Sequence, residues 1–351
     1  MFALIDKILQ LDQPSSVKIN SYYKELPYFE PFEIATRKAE IEKIIVITME
    51  DEIGNFGVGD TYFLNSDDLK LVEKTNPREV LLGKADVPEN VNLGIEMAYL
   101  DLIARRNKMR FGSLFGEINR EEILTDVTIG IKPLEKTINE IEKWTKEGFK
   151  VIKLKMGKGT VEEEKNKLLK VINALPSGVK LRIDANQGWN RKTAREMVQL
   201  ANDYAEIIEI LEQPLPKDDL SGIGKLKEIS RIPIVVDESI RKVGDLEKVE
   251  RYVDGINIKI SKASSIIEAI TLGLLAKQKG LKVMIGCSYE TNIGITADAY
   301  IASVINVDYA DLDADFMKKD VVSKRAADIR NSHRILPKGY GLGINSEDLI
   351  L

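Results

Sequence analysis

The sequence contains one histidine and one cysteine, and these two shortages exclude much of the usual enzyme chemistry. Cys287 alone can form neither an internal disulfide nor a cysteine metal cluster, which fits a reducing, cytoplasmic setting. Zinc motifs that need two histidines are impossible, and a Ser-His-Asp or Cys-His triad would rest entirely on His333. That histidine lies in the polar stretch NSHRILP, where a surface or tail-packing role is expected. Aromatic residues make up only 6% of the chain, which leaves few platforms for stacking bases. Acids and bases are interspersed at a net charge of −5, so no basic stripe is offered to a nucleic acid. No apolar run approaches the roughly 18 to 20 residues of a membrane span. The opening MFALIDKILQL is interrupted by Asp6 and Lys7 and reads as a short amphipathic helix, not a signal sequence. Acid–base work must therefore fall to lysine and carboxylate.

What is present is a chain of 351 residues, long enough for a barrel and a smaller accessory domain. The first part, residues 1–124, reads as α+β. Strands are expected at 16–23 and 41–49, turn chemistry at 54–60 (GNFGVGD), and helices at 67–74 and 92–108. From Thr125 short β-branched runs alternate with longer amphipathic stretches. Eight strand candidates follow: DVTIGI, FKVIKLKM, KLRIDAN, IIEILEQP, IPIVVDES, GINIKI, LKVMIGC and DYADLDA. Eight βα units over 125–319 predict a (β/α)8-type barrel, an α/β fold whose last helix is shortened or replaced. Residues 320–351 form a closing segment expected to pack back on the first domain. Its Gly339, Gly341 and Gly343 precede no helix and read as an ordinary turn.

Charge position within the strands carries the functional reading. A parallel barrel strand is buried on both faces, so a charge there is costly unless it is paired or bound to a metal. At the C-terminal strand ends, side chains reach the mouth where barrel enzymes place their chemistry. Asp184, Glu212 and Asp237 end three successive strands, about one βα repeat apart, and should converge. Any one of them could be a helix cap at a βα junction; three at one depth point to a metal. Carboxylates without histidine or cysteine make a hard, oxygen-rich site that favours Mg²⁺ over zinc.

Lys153 and Lys155 stand two apart on the second strand and so face the interior together. Lys259 ends the sixth strand, nearly opposite, whereas Lys262 lies beyond it in the loop or the first helical turn. Structural pairing with the acids accounts for one lysine, such as Lys153, but not for a second set across the barrel. Metal and lysine together neutralise a substrate carboxylate and stabilise the enediolate formed when the α-proton leaves. Crowding by Mg²⁺ and by each other should depress the pKa values of Lys155 and Lys259, letting one act as a base near neutrality. Lysines on opposite faces of the α-carbon would then racemise or epimerise it.

Together these elements resemble the enolase superfamily, muconate-lactonizing subgroup. The matching motifs are Lys153-x-Lys155, Asp184-x-Asn186, Glu212-Gln213-Pro214, Asp237-Glu238-Ser239 and Asn257-Ile258-Lys259, in the family's order over nearly the whole chain. The resemblance implies one Mg²⁺ per subunit held by Asp184, Glu212 and Asp237. It implies Lys155 and Lys259 as the acid/base pair, Lys153 beside the substrate carboxylate, and an N-terminal domain capping the barrel mouth. Homo-oligomers are frequent in this family. Asp311-Leu312-Asp313 resembles the Asp-x-Asp element of dipeptide epimerases, where the pair holds the free ammonium group of an L-amino acyl unit. Two carboxylates spaced two apart on a strand face inward together and suit a cation. Thr128 resembles the family's substrate-contacting threonine, and Cys287 and Ser288 lie in the loop that lines the pocket there, where the cysteine could equally be a small buried filler.

Arg37 matches an arginine that acidic-dipeptide members place near the substrate side chain, and it could equally be a surface strand charge. The stretch 57–65 (GVGDTYFLN) departs from the family's acidic loop, and Tyr62 and Phe63 would form an aromatic lid suited to an apolar side chain. The expected activity is inversion of the C-terminal α-carbon of an L-Ala-L-Xaa type dipeptide. Rivals on the same scaffold are o-succinylbenzoate synthesis, muconate cycloisomerisation and N-acylamino acid racemisation, none of which needs Asp311 and Asp313. A non-catalytic barrel is a further rival, but no ligand or lysine is missing. Sugar-acid dehydration, which leans on histidine, is disfavoured.

Overall fold

The computed structural model describes residues 1–351. After the amphipathic helix α1 (Phe2–Leu9) come three antiparallel strands, β1 (Val17–Glu33), β2 (Lys38–Asp51) and β3 (Phe56–Tyr62). Helix α2 (Asp67–Lys74) packs beside β1, and α3 (Glu89–Arg106) lies across β2 and β3. The expected turn at 54–60 is corrected: the reversal lies at Asp51–Asn55, and Gly57 and Gly59 belong to β3. Their glycines serve packing. A Cβ on Gly57 would stand 2.4 Å from the Ala98 carbonyl, and one on Gly59 2.7 Å from that of Gly94. The missing side chains let α3 settle directly on the sheet.

The barrel strands are β4 (Val127–Ile129), β5 (Val151–Lys155), β6 (Lys180–Asp184), β7 (Ile208–Glu212), β8 (Ile234–Val236), β9 (Gly255–Ile258), β10 (Lys282–Gly286) and β11 (Tyr309–Asp311). They pair in parallel in sequence order. All eight coincide with the sequence-derived strands. Helices α4 (Leu134–Lys146), α5 (Val161–Ala174), α6 (Arg191–Asn202), α7 (Leu220–Ile229), α8 (Ile266–Gln278) and α9 (Asn292–Ile305) cover the outside. After β8 the crossover is reduced to a single α-helical turn, Leu246–Val249, and no α-helix follows β11. Thr160 begins α5 with a reciprocal capping box to Glu163, satisfying donors the first turn cannot pair. None of the helices is long and apolar enough to cross a membrane.

Between β11 and β4 the ring is closed by side chains in place of a backbone ladder. Leu312 N–H donates to Thr125 Oγ1 at 2.8 Å, and Thr128 N–H donates to Asp313 Oδ2. The barrel seam is thus also the place where the Asp-x-Asp pair emerges. Over it runs the far end of β1. Phe29 N–H donates to the Met317 carbonyl (3.0 Å), and Ile131 N–H to that of Glu33 (2.7 Å). The closing segment reaches α3, where Leu342 N–H donates to Asp101 Oδ1 and Arg105 holds Asn345 and the Ile344 carbonyl.

Candidate active site at the barrel mouth

Register places the acids together. Asp184 pairs with Lys155 on one side and with Glu212 on the other, so β5, β6 and β7 end at one level. Just beyond, Asn186 and Gln213 turn through positive φ values of 41° and 37°, an unfavourable backbone for non-glycine residues. Asn186 N–H donates back to Asp184 Oδ1 (2.8 Å), and Gln213 Oε1 accepts from Asp237 N–H (2.9 Å). These turns aim the carboxylates. Asn257 adds a hydrogen bond to Glu212 Oε1 (2.8 Å).

The lysines meet the acids directly. Lys155 Nζ is 2.6 Å from Asp184 Oδ2, and Lys259 Nζ is 3.0 Å from Asp237 Oδ2. Lys153 bridges Asp311 (2.6 Å), Glu212 (2.8 Å) and Asp184 (3.4 Å). Expected to face the substrate carboxylate, Lys153 instead has no exposed surface and does not line the pocket. Lys262, ranked below Lys259 from sequence, is a partly buried anchor that bonds both the carboxylate and the carbonyl of Asp237.

Burial opposes charge on each of these groups, and the partners decide the outcome. Asp184, Asp237 and Asp311 are held below the ordinary carboxylate range because neighbouring lysines outweigh desolvation. Glu212 is pushed up by burial and by Asp184, and Glu238 rises to about 7 by burial beside Asp237 and Asp184. Against the protein's own charges Lys259 is raised and not depressed: burial lowers it, but the Asp237 carboxylate outweighs burial, and the expected depression draws on a Mg²⁺ charge that these side chains do not supply. Lysine–lysine crowding is offset here because Lys155 and Lys259 each have their own carboxylate.

A single pocket is lined by Lys155, Lys259, Thr128, Arg37, Cys287, Ser288, Asp311 and Asp313, all eight expected from sequence. Tyr28, Phe32, Ile34, Asn186, Ala314 and Met317 complete it. Thr128 Oγ1 donates to Asp311 Oδ1 (3.3 Å), and Cys287 Sγ lies 3.7 Å from Asp313 Oδ1. Burial and then Asp311 raise Asp313 to about 7. The Cys287 thiol is pushed up by burial and by the same two aspartates, which favours its protonated form and the reading of it as a buried filler. Arg37 reaches the pocket, but its guanidinium pairs with Glu42 and lies 4.9 Å over the Tyr289 ring. The aromatic lid is not formed. Phe63 packs on Tyr23 (4.6 Å), Tyr62 faces Tyr289 (5.3 Å), and neither lines the pocket.

The donor set suits a hard divalent cation. Asp184, Glu212 and Asp237 are buried carboxylates, and Glu212 Oε2, Glu238 Oε2 and Asn186 Oδ1 lack hydrogen-bond partners. Glu212 Oε2 lies near Lys153 but out of line for a hydrogen bond. The group whose ligand atoms all fall within 4.8 Å of one another is Cys287, Asp311 and Asp313.

Residues 136–348 match the family described as enolase C-terminal domain-like. The chain belongs to the enolase superfamily. Among relatives of this superfamily, the L-Ala-D/L-Glu epimerase of Bacillus subtilis is 29% identical, covering 93% of this chain and 96% of that protein. The hydrophobic dipeptide epimerase of Enterococcus faecalis is 37% identical over 63% of each chain. The crystal structure of the Enterococcus faecalis dipeptide epimerase with Mg and L-Leu-L-Tyr superposes with a TM-score of 0.85 at 28% identity, covering 93% of this chain and 98% of that one.

Proposed function

We propose that this protein is a Mg²⁺-dependent dipeptide epimerase that inverts the α-carbon of the C-terminal residue. The observation that carries the proposal is that Lys155 and Lys259 share one pocket with Asp311 and Asp313. Proton-transfer lysines suit several reactions of this superfamily. A buried carboxylate pair at the same mouth suits a substrate with a free ammonium group, which the muconate, succinylbenzoate and N-acylamino acid reactions do not use. The named relatives and the bound L-Leu-L-Tyr of one of them support the same class.

In this reading Asp184, Glu212 and Asp237 would hold one Mg²⁺ per subunit, which supplies charge neutralisation for the substrate carboxylate. Asp311 and Asp313, fixed by Thr128 and Lys153, bind the ammonium group and so set the distance to the second α-carbon. Lys155 and Lys259 reach the mouth from the second and sixth strands, on opposite sides of the barrel. One takes the α-proton, and the electron pair of the broken C–H bond moves into the enediolate. The other delivers a proton to the opposite face. Lys262 keeps Asp237 oriented, and Asn257 does the same for Glu212.

Arg37 is already neutralised by Glu42, which also accepts from the Tyr28 hydroxyl (2.8 Å). Ile34, Ala314 and Met317 give the pocket apolar walls. We therefore assign an apolar C-terminal side chain, such as leucine, in preference to an acidic one. Incubating L-Ala-L-Leu and L-Ala-L-Glu in D₂O with Mg²⁺ tests this by mass. A one-dalton gain in the leucine peptide first is expected. No gain in any dipeptide, with Mg²⁺ bound, would contradict the proposal.

A further inference from the structure

A cavity of about 450 Å³ adjoins the active-site pocket, between the end of β1 and helix α4. Four residues, Tyr28, Phe32, Thr128 and Met317, line both spaces. Thr128 is the decisive one, because it donates to Asp311 on one side and to Asp313 through its main chain. The cavity thus begins directly behind the carboxylate pair. Resting on the dipeptide reading above, we propose that this groove receives the side chain of the N-terminal residue, and that the enzyme favours a large apolar residue there.

The geometry follows from the α-carbon that carries the ammonium group. With that group held by Asp311 and Asp313, its carbonyl must run inward to the lysines. Its side chain is left pointing away from both, toward the space behind Thr128. The inner wall there is apolar and fixed, and charged residues such as Lys132, Glu140 and Lys143 lie at the rim. Tyr28 and Phe32 stack at 6.0 Å, and Trp144 packs 6.4 Å from Phe316. Main-chain hydrogen bonds from Phe29 to Met317 and from Ile131 to Glu33 tie the strand to the barrel.

The carboxylates on the rim are paired with lysines, while Lys143 lies 4.2 Å over the Trp144 ring. Lys132 pairs with Glu140 and lies 3.8 Å from Glu30, while Lys158 takes Glu33. A cationic side chain would therefore find no free carboxylate, whereas an aromatic ring would cover Trp144 and Phe316. The cavity is within the usual size for a small-molecule site. A tripeptide is disfavoured, because its first amide bond would replace the ammonium group at the two aspartates.

The test compares α-deuterium exchange of L-Phe-L-Leu and L-Ala-L-Leu by the Mg²⁺-loaded enzyme. We expect kcat/KM to favour the phenylalanine peptide by about tenfold, mostly through KM, the order expected for filling an apolar pocket. Asn139 stands on the exposed face of α4 at the groove, so Asn139→Trp should fill the space without disturbing the core. It should lower the Phe-over-Ala preference by about tenfold, again through KM. Emission from Trp144 should shift when L-Phe-L-Leu binds and stay unchanged with L-Ala-L-Leu. Exchange of L-Ala-L-Leu with equal or poorer use of L-Phe-L-Leu overturns the groove assignment and leaves the epimerase reading intact. Absence of exchange from every dipeptide overturns both.

Discussion

At the scale of single residues, the site is a set of opposed charges removed from water. Lys153 is fully buried yet strongly favours its charged form, because Asp311, Glu212 and Asp184 outweigh the cost of desolvation. Removing it would leave Asp311 and Glu212 without their paired counter-charge, and such uncompensated burial typically costs about 3–5 kcal/mol. Asp313 behaves in the opposite way. Raised to about 7, it is charged only above neutrality, so its hold on an ammonium group strengthens as pH rises through 7. Steady-state assays should show kcat/KM falling below about pH 7, by roughly tenfold per unit where that single proton governs binding. Asp313→Asn should lower kcat/KM at pH 8 and abolish that acidic limb; an unchanged limb would exclude Asp313 as its source. The convergence of Asp184, Glu212 and Asp237 with the lysines was legible in the sequence because strand spacing fixes their depth. Lys262 was undervalued because its reach depends on the short turn Ile260–Ala263 folding it back onto Asp237. Tyr28, Phe32 and Met317 carry no motif; the path of β1 over the mouth brings the first two to the pocket, and the segment after β11, tied to β1 by the Phe29–Met317 hydrogen bond, brings the third.

Among secondary-structure elements, the eight barrel strands were readable because buried parallel strands are continuous β-branched runs. The 57–65 stretch misled because glycine has two uses, turning and close packing, that look alike in sequence. Gly57 and Gly59 are packing glycines under α3. A second close approach supports the site itself. The loops after β5 and β6 touch where a Cβ on Gly157 would meet the Ala185 carbonyl at 2.4 Å, and Gly157 also sits at φ +101°. These loops follow Lys155 and Asp184 immediately. Gly157→Ala should therefore destabilise the protein by roughly 2 kcal/mol or more, through both strain and overlap. Chemical denaturation would measure this, and turnover of the folded variant should fall as well. Unaltered stability would mean that the two loops can separate freely, contrary to the packing described.

For the whole molecule, stability should depend on pH through buried acids that form no ion pair. Asp60 is raised to about 6 and Glu96 to about 7, in both cases chiefly by burial. In the unfolded chain such groups titrate near 4, so from about pH 4 to 7 the folded state binds more protons. Stability gained below that window is lost as pH rises through it. Asp298 belongs to the same class, with both carboxylate oxygens buried and lacking hydrogen-bond partners close to Asp60 and Glu290. The metal-free protein should melt at a lower temperature at pH 8 than at pH 5.5, and Asp298→Asn should raise the pH 8 value by several degrees. A lower melting temperature for that variant at pH 8 would contradict the role given to its buried charge. Below pH 4 the trend reverses, since Asp184, Asp237 and Asp311 lose their lysine partners on protonation.

The central claim is that two lysines serve opposite faces of one α-carbon, and stereospecific exchange in single-lysine variants tests it most directly. Lys155→Ala and Lys259→Ala would each be incubated with L-Ala-L-Leu and L-Ala-D-Leu in D₂O and Mg²⁺. The account predicts no epimerisation by either variant. Each should exchange the α-proton of one epimer alone, with opposite preferences, because the remaining lysine reaches one face. Full epimerisation by both variants, or exchange of the same epimer by both, would contradict it.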